Sequence, residues 1–156
     1  MRQIQIYENA DILCEELAEA LPIPASISEP IHIALSGGST PTLLFEKMTA
    51  VDDPDAFMNT HFYWVDERHV PEDDPESNYA VFRRLLVDTG IVPVENVHPI
   101  KYHPDIHQMT ANYEQELRKH VPFEDGYPLF DEIVLGVGED GHTASIFPDR
   151  LDLFET

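Results

Sequence analysis

The chain has 156 residues, 42% of them apolar, enough to build one domain with its own core. Nine lysines and arginines against thirty aspartates and glutamates leave a net charge of −21, a field that repels phosphate backbones and anionic membranes and argues against nucleic acid as a partner. Cys14 stands alone, so no internal disulfide is available and a reducing cytoplasm is expected, while the N-terminus lacks the apolar stretch of a signal peptide and no window approaches a membrane span.

Strand-like and helix-like segments alternate along the chain, the pattern of a parallel sheet with crossover helices. Gln3 to Tyr7 reads as a first strand. Asn9 then caps a helix carrying Ile12, Leu13, Leu17 and Leu21 near one face, ended by Pro22 and Pro24, with Cys14 a buried, inert thiol. Ile31 to Leu35 is the next strand, followed by a Ser-Gly-Gly-Ser turn, with Thr40 as cap and Pro41 as first residue of a helix through Leu44, Phe45 and Met48. His61 to Val65 forms a third strand, Asp66 to Pro75 a polar loop, and Ser77 to Leu86 a helix that stops before Gly90. Val97 to Ile100 is a shorter strand, and Asp105 caps a helix to about His120, with Ile106, Met109, Tyr113 and Leu117 at helical spacing. The apolar run Ile133-Val134-Leu135 ends in glycines; a run of this kind suits a strand covered on both faces. No repeat, low-complexity tract or linker interrupts residues 1–156, which read as a single domain.

Three loops stand at the carboxyl ends of predicted strands, where open α/β sheets bind their ligands. Ser36-Gly37-Gly38-Ser39-Thr40-Pro41 combines glycines, which let backbone N–H groups approach a ligand, with a helix N-terminus of partial positive charge. That suits a phosphate, although a tight strand-to-helix turn has the same residues; the lysine of a P-loop and the GxGxxG of a dinucleotide site are both missing. Asp66-Glu67-Arg68-His69-Val70-Pro71 gathers two carboxylates, a guanidinium and an imidazole. Arg68 suits bidentate phosphate binding, against the plainer reading of a solvated charge run with an internal Asp–Arg pair, and Ser77 and Asn78 brace this loop by capping the next helix. The third loop, Gly136 to His142, offers His142 as a base that takes a proton from water and returns it, with Asp140 two residues earlier to orient the ring or hold substrate. A GxSxG elbow is absent, which weakens an acyl-enzyme scheme. The histidines at 32, 61, 69, 98, 103, 107 and 120 show no HExxH or Cys/His spacing, so neither a metal nor another cofactor is expected in catalysis.

Together, Ser36 to Pro41, Asp66 to Pro71 with Ser77-Asn78, and Gly136-Val137-Gly138-Glu139-Asp140-Gly141-His142-Thr143-Ala144-Ser145-Ile146-Phe147-Pro148 resemble the signature segments of the 6-phosphogluconolactonases, in order and in spacing. The resemblance implies a Rossmann-like three-layer α/β/α fold with a mainly parallel sheet. That fold is shared with glucosamine-6-phosphate isomerases, ribose-5-phosphate isomerases and CoA-transferases. It also implies hydrolysis of 6-phospho-D-glucono-1,5-lactone to 6-phospho-D-gluconate in the oxidative pentose phosphate pathway of the cytoplasm, without a cofactor, by a monomer or homodimer. On the matching positions, His142 becomes the base that activates water. Ser36, Gly37, Gly38, Ser39 and Thr40 form part of the substrate site, Arg68 binds the 6-phosphate, and Asp66 and Asp140 are acidic positions that hold sugar hydroxyls or position His142 and water.

Two other readings stand beside this one. A related sugar-phosphate isomerase or deaminase would use a carboxylate to move a proton between carbons; its pattern runs from Asp-Gly-His toward Asn-Glu-Pro, where this chain has Ile146-Phe147-Pro148, and its Asp-Glu-Tyr is Asp66-Glu67-Arg68 here. The third is a non-catalytic sugar-phosphate-binding fragment. It follows from the sequence stopping at Thr156, where the family's pattern continues with further strands and helices, so that the fold is expected to be C-terminally incomplete.

Overall fold

The structure, a computed structural model, describes residues 3–21 and 29–150. Its centre is a four-stranded parallel sheet made of β1 (Ile31–Leu35), β2 (Thr60–Trp64), β3 (Val97–His98) and β6 (Glu132–Val134), in the order β3-β2-β1-β6. The helices are α1 (Ala10–Ala20), α2 (Ser39–Met48), α3 (Asn78–Phe82), which runs on through a π-helical turn at Arg83–Val87, and α4 (Ile106–His120). A two-stranded hairpin, β4 (Phe123–Glu124) with β5 (Tyr127–Pro128), leads from α4 back to the sheet. Sequence patterning misses this hairpin, although Asp125-Gly126 carries its turn signal.

The alternation of side chains along a strand divides the core in two. Ile31, Ile33 and Leu35 of β1, Phe62 and Trp64 of β2 and Val97 of β3 point to one face, where they meet Cys14 and Ala18 of α1, Leu44, Phe45 and Met48 of α2, and Phe82 and Leu86. Phe82 is the keystone of this side, with ring centroids 5.0 Å from Phe62, 5.1 Å from Phe45 and 5.3 Å from Trp64. Phe82→Ala is worth about 3–5 kcal/mol of stability at such a site. Alternate positions, His32 and Ala34, His61 and Tyr63, and His98, face the other way toward α4. There the apolar cluster is small, Ala34, Tyr63 and Val121 joined by Leu117, Phe123 and Phe130.

The helix caps follow the chemistry of their residues. Asn9 accepts from the Ile12 N–H, Ser77 from Ala80 and Asp105 from His107, each side chain satisfying an amide that the helix itself leaves open. Pro99 ends β3 after two residues, and the Tyr113 hydroxyl of α4 takes over the backbone of Trp64, accepting from its N–H at 2.9 Å and donating to its carbonyl at 3.0 Å.

Three expectations are corrected. Gln3 to Tyr7 joins no strand ladder; Ile4 and Ile6 are 85% and 92% exposed, because the alternation that suggests a strand has no partner among the described residues. The α2 helix begins at Ser39 with Gly38 as its cap, so Thr40 and Pro41 lie inside the first turn; the Gly38 carbonyl receives both the Thr42 N–H and the Thr42 hydroxyl, closing the turn earlier than Thr40 would. The strand before His142 is an edge: among the described residues β6 pairs with β1 alone, and Ile133 and Leu135 are each 53% exposed rather than covered on both faces. Pro22 and Pro24 lie outside the described residues.

Candidate active site

The strand order places the carboxyl ends of β2, β1 and β6 side by side, and the loop leaving each carries the residues singled out from sequence. Chain order reverses about β1, whose neighbours are β2 and β6; such a reversal opens a crevice above the strand ends. A cavity of about 860 Å³ lies there, lined by Ser36 to Thr40, by Asp66 and Arg68, and by Gly136 to Gly138 with His142. Its volume fits a phosphorylated monosaccharide.

The loop after β1 is fastened from both sides. Ser36 is buried; its N–H donates to the Val134 carbonyl at 3.1 Å, and its hydroxyl accepts from the Gly136 N–H at 3.4 Å, tying the first loop to the third. Gly37 has to lack a side chain, since a Cβ would sit 1.8 Å from the Asn78 side-chain oxygen. The opening amides of α2, at Ser39 and Thr40, have no acceptor within the helix and border the cavity.

In the loop after β2 the organising residue is Glu67, whose role the sequence reading missed. Its carboxylate accepts from the Arg68 and Asn78 amides at 2.7 Å each, from the Tyr79 amide at 3.0 Å and from the Ser77 hydroxyl at 3.0 Å, so it crowns the start of α3 and fixes the loop. Asn78 adds a bond from its side-chain amide to the Asp66 carbonyl. With Glu67 consumed, the exposed guanidinium of Arg68 forms no ion pair among the described residues, so the internal Asp–Arg pair is not what occupies it. Asp66 accepts instead from the Ser145 hydroxyl at 3.0 Å, which links the second loop to the third.

The third loop is a tight device around one imidazole. His142 Nδ1 lies 2.5 Å from Asp140 Oδ1, and the His142 backbone N–H reaches the same oxygen at 3.2 Å. That hydrogen bond holds the Asp140 carboxyl below its ordinary range. Gly138 makes the arrangement possible: a Cβ there would lie 2.3 Å from two atoms of the His142 ring and 2.7 Å from the Asp140 carboxylate. Gly138 N–H to His142 carbonyl at 2.8 Å, Gly141 N–H to Gly138 carbonyl at 2.9 Å and the Thr143 hydroxyl to Gly136 carbonyl at 2.9 Å close the loop. Phe147 stacks on the imidazole, centroids 4.9 Å apart and planes 27° from parallel. Asp140 does not line the cavity whereas His142 does, and with Nδ1 engaged by Asp140 the His142 Nε2 has no hydrogen-bond partner among the described residues. All the other site candidates from sequence line one cavity, and Glu67, Ser145 and Phe147 join them through contacts that only the fold creates.

A family model described as "Glucosamine-6-phosphate isomerases/6-phosphogluconolactonase" matches residues 7–156. A 6-phosphogluconolactonase of Haemophilus influenzae is 42% identical over 148 residues, 92% of this chain and 61% of that protein, and one of Treponema pallidum is 33% identical over 155 residues, 96% and 63%. Among solved structures, 6-phosphogluconolactonase from Trypanosoma brucei superposes with a TM-score of 0.84 at 28% identity, covering all of this chain and 67% of its own. That from Thermotoga maritima gives 0.72 at 31% identity, covering 88% and 59%. The chain thus spans about three fifths of the length of these bacterial relatives. With the three loops, their spacing and the parallel sheet in agreement, the chain belongs to the glucosamine-6-phosphate isomerase/6-phosphogluconolactonase family.

Proposed function

We propose that this chain carries the water-activating half of a 6-phosphogluconolactonase site and hydrolyses 6-phospho-D-glucono-1,5-lactone. The observation that carries the reading is the His142–Asp140 pair on one wall of a cavity whose other wall presents an Arg68 guanidinium without an ion pair among the described residues. An ionised Asp140 can only accept, so a neutral His142 paired with it carries its proton on Nδ1 and leaves Nε2 as the basic nitrogen, the tautomer a general base requires.

A sugar δ-lactone is an activated ester, so oriented water, a base and donors for the oxyanion suffice. His142 Nε2 takes a proton as the water oxygen bonds to C1. The tetrahedral intermediate collapses with cleavage of the bond from C1 to the ring oxygen, and His142 returns the proton to that oxygen as it becomes a hydroxyl. The open amides at the start of α2 are placed to stabilise the oxyanion or the phosphate, and Arg68 grips the 6-phosphate, which is remote from C1 and fixes orientation. Asp66, held by Ser145 on the cavity wall, is assigned to the sugar hydroxyls.

Against deaminase chemistry, Phe147 occupies the place of the glutamate in that family pattern, and its ring is spent on stacking with His142. An apolar ring there moves no proton between carbons. The assay is direct: acid release from freshly prepared 6-phosphogluconolactone against ammonia release from glucosamine 6-phosphate. Lactone hydrolysis that disappears with His142→Ala supports the reading; ammonia release alone overturns it.

A further inference from the structure

On the α4 side of the sheet, away from the cavity lining, a second group of histidines is built into the fold. His32, His61 and His98 come from β1, β2 and β3, and His120 ends α4. The His98 ring is 3% exposed and its two nitrogens are both engaged: Nε2 lies 2.9 Å from His61 Nδ1, and Nδ1 lies 2.9 Å from Glu116 Oε1. The same carboxylate oxygen is 3.3 Å from His120 Nε2, one helical turn on, and these three atoms all fall within 4.8 Å of one another.

We propose that His98, Glu116 and His120 form a divalent metal site, suited to zinc, that fastens α4 to the sheet. Two imidazoles and a carboxylate are a donor set that zinc accepts, and with bonds of about 2.0–2.1 Å its tetrahedral ligand atoms stand about 3.3 Å apart. The Glu116–His120 spacing of 3.3 Å already matches, the Glu116–His98 spacing of 2.9 Å is slightly tighter, and all three ligand atoms lie within 4.8 Å of one another, so modest side-chain adjustment would complete the set. Glu116, 36% exposed, leaves an approach from solvent and room for water as a fourth ligand. The residue behind the site is in place as well: with metal on Nδ1, His98 would carry its proton on Nε2 and donate it to His61, 2.9 Å away, which would fix the ring. Burial holds the His98 imidazole neutral by pushing its proton affinity down, opposed by Glu116, whose carboxyl stays low despite burial because His98 bonds to it. A net charge of −21 favours the cation further. The physical return is on the thin side of the core, where few apolar contacts hold α4.

The test uses tag-free protein stripped with chelator and titrated with zinc against a chromophoric chelator, alongside thermal melts. One equivalent is expected, with a higher Tm. Glu116→Gln and His120→Ala, both at partly exposed positions, each lose at least about 100-fold in affinity, and His61→Phe loses about 10–100-fold. His142→Asn retains the full equivalent. Absence of stoichiometric uptake, uptake that survives both Glu116→Gln and His120→Ala, or uptake lost only in His142→Asn would each overturn the proposal.

Discussion

Two histidines in this molecule share one local chemistry and differ in everything around it. His142 and His98 each present Nδ1 to a carboxylate, at 2.5 Å from Asp140 and 2.9 Å from Glu116. The side chain of His142 is 37% exposed, lines the cavity and has no hydrogen-bond partner on its second nitrogen among the described residues, whereas that of His98 is 3% exposed and its second nitrogen is occupied by His61. A His–carboxylate pair is therefore not by itself a catalytic sign. On the proposed reading, what separates the two is whether the second nitrogen is left open to a ligand or taken by protein.

The sharpest way to break the contrast is His142→Ala, expected to lower lactone turnover about 10²–10⁴-fold while the melting curve stays put; steady-state rates beside circular dichroism melts read both. Gly138→Ala leaves every polar group in place but drives a methyl into the His142 ring and the Asp140 carboxylate. Displacement of that order should cost about 10²-fold in kcat, with phosphate-dependent binding kept. Arg68→Lys preserves charge and loses the fork, so KM should rise about tenfold with a smaller change in kcat; an unaltered KM would make Arg68 a bystander.

The smallest effect belongs to half-buried His61. Burial, then the neighbouring His98, His32 and His120, pull the His61 imidazole from its ordinary 6.5 down to about 4. Between those values the unfolded chain binds the proton and the folded chain does not. Stability of metal-stripped protein should therefore decline as pH falls from 6.5 toward 4, a shift of a few degrees in Tm. His61→Phe should flatten that slope, and an unchanged slope would mean that the carboxylates alone govern acid unfolding.

Much of the candidate site was legible because it is local. Ser36 to Thr40, Asp66 to Arg68 and Gly138 to His142 each sit within a few residues of a strand end, where glycine, proline and charge mark a loop, and parallel order gathers the three ends. Glu67 was read as one acid in a charge run because its partners Ser77, Asn78 and Tyr79 lie ten to twelve residues away and meet it only after the loop has turned. The metal-site residues have no motif spacing, since strand register brings His98 beside Tyr63 and one turn of α4 separates Glu116 from His120. Gln3 to Tyr7 shows the converse: the alternation of Ile4 and Ile6 is visible in sequence, but a strand needs a neighbour to hydrogen-bond, and alternation does not supply one.

Among the described residues, β6 is an edge strand, and it carries the loop of the proposed base. Among the described residues the strand is held along one side only, through Ile33, Ala34 and Leu35 of β1, and it suspends Gly138, Asp140 and His142 from its end. Edge segments open locally at a free energy well below that of global unfolding. On the proposed reading, opening of Glu132–Val134 alone would disperse the groups around His142 while the main core stays folded, so a substitution that peels this strand from β1 is expected to cost activity before global stability.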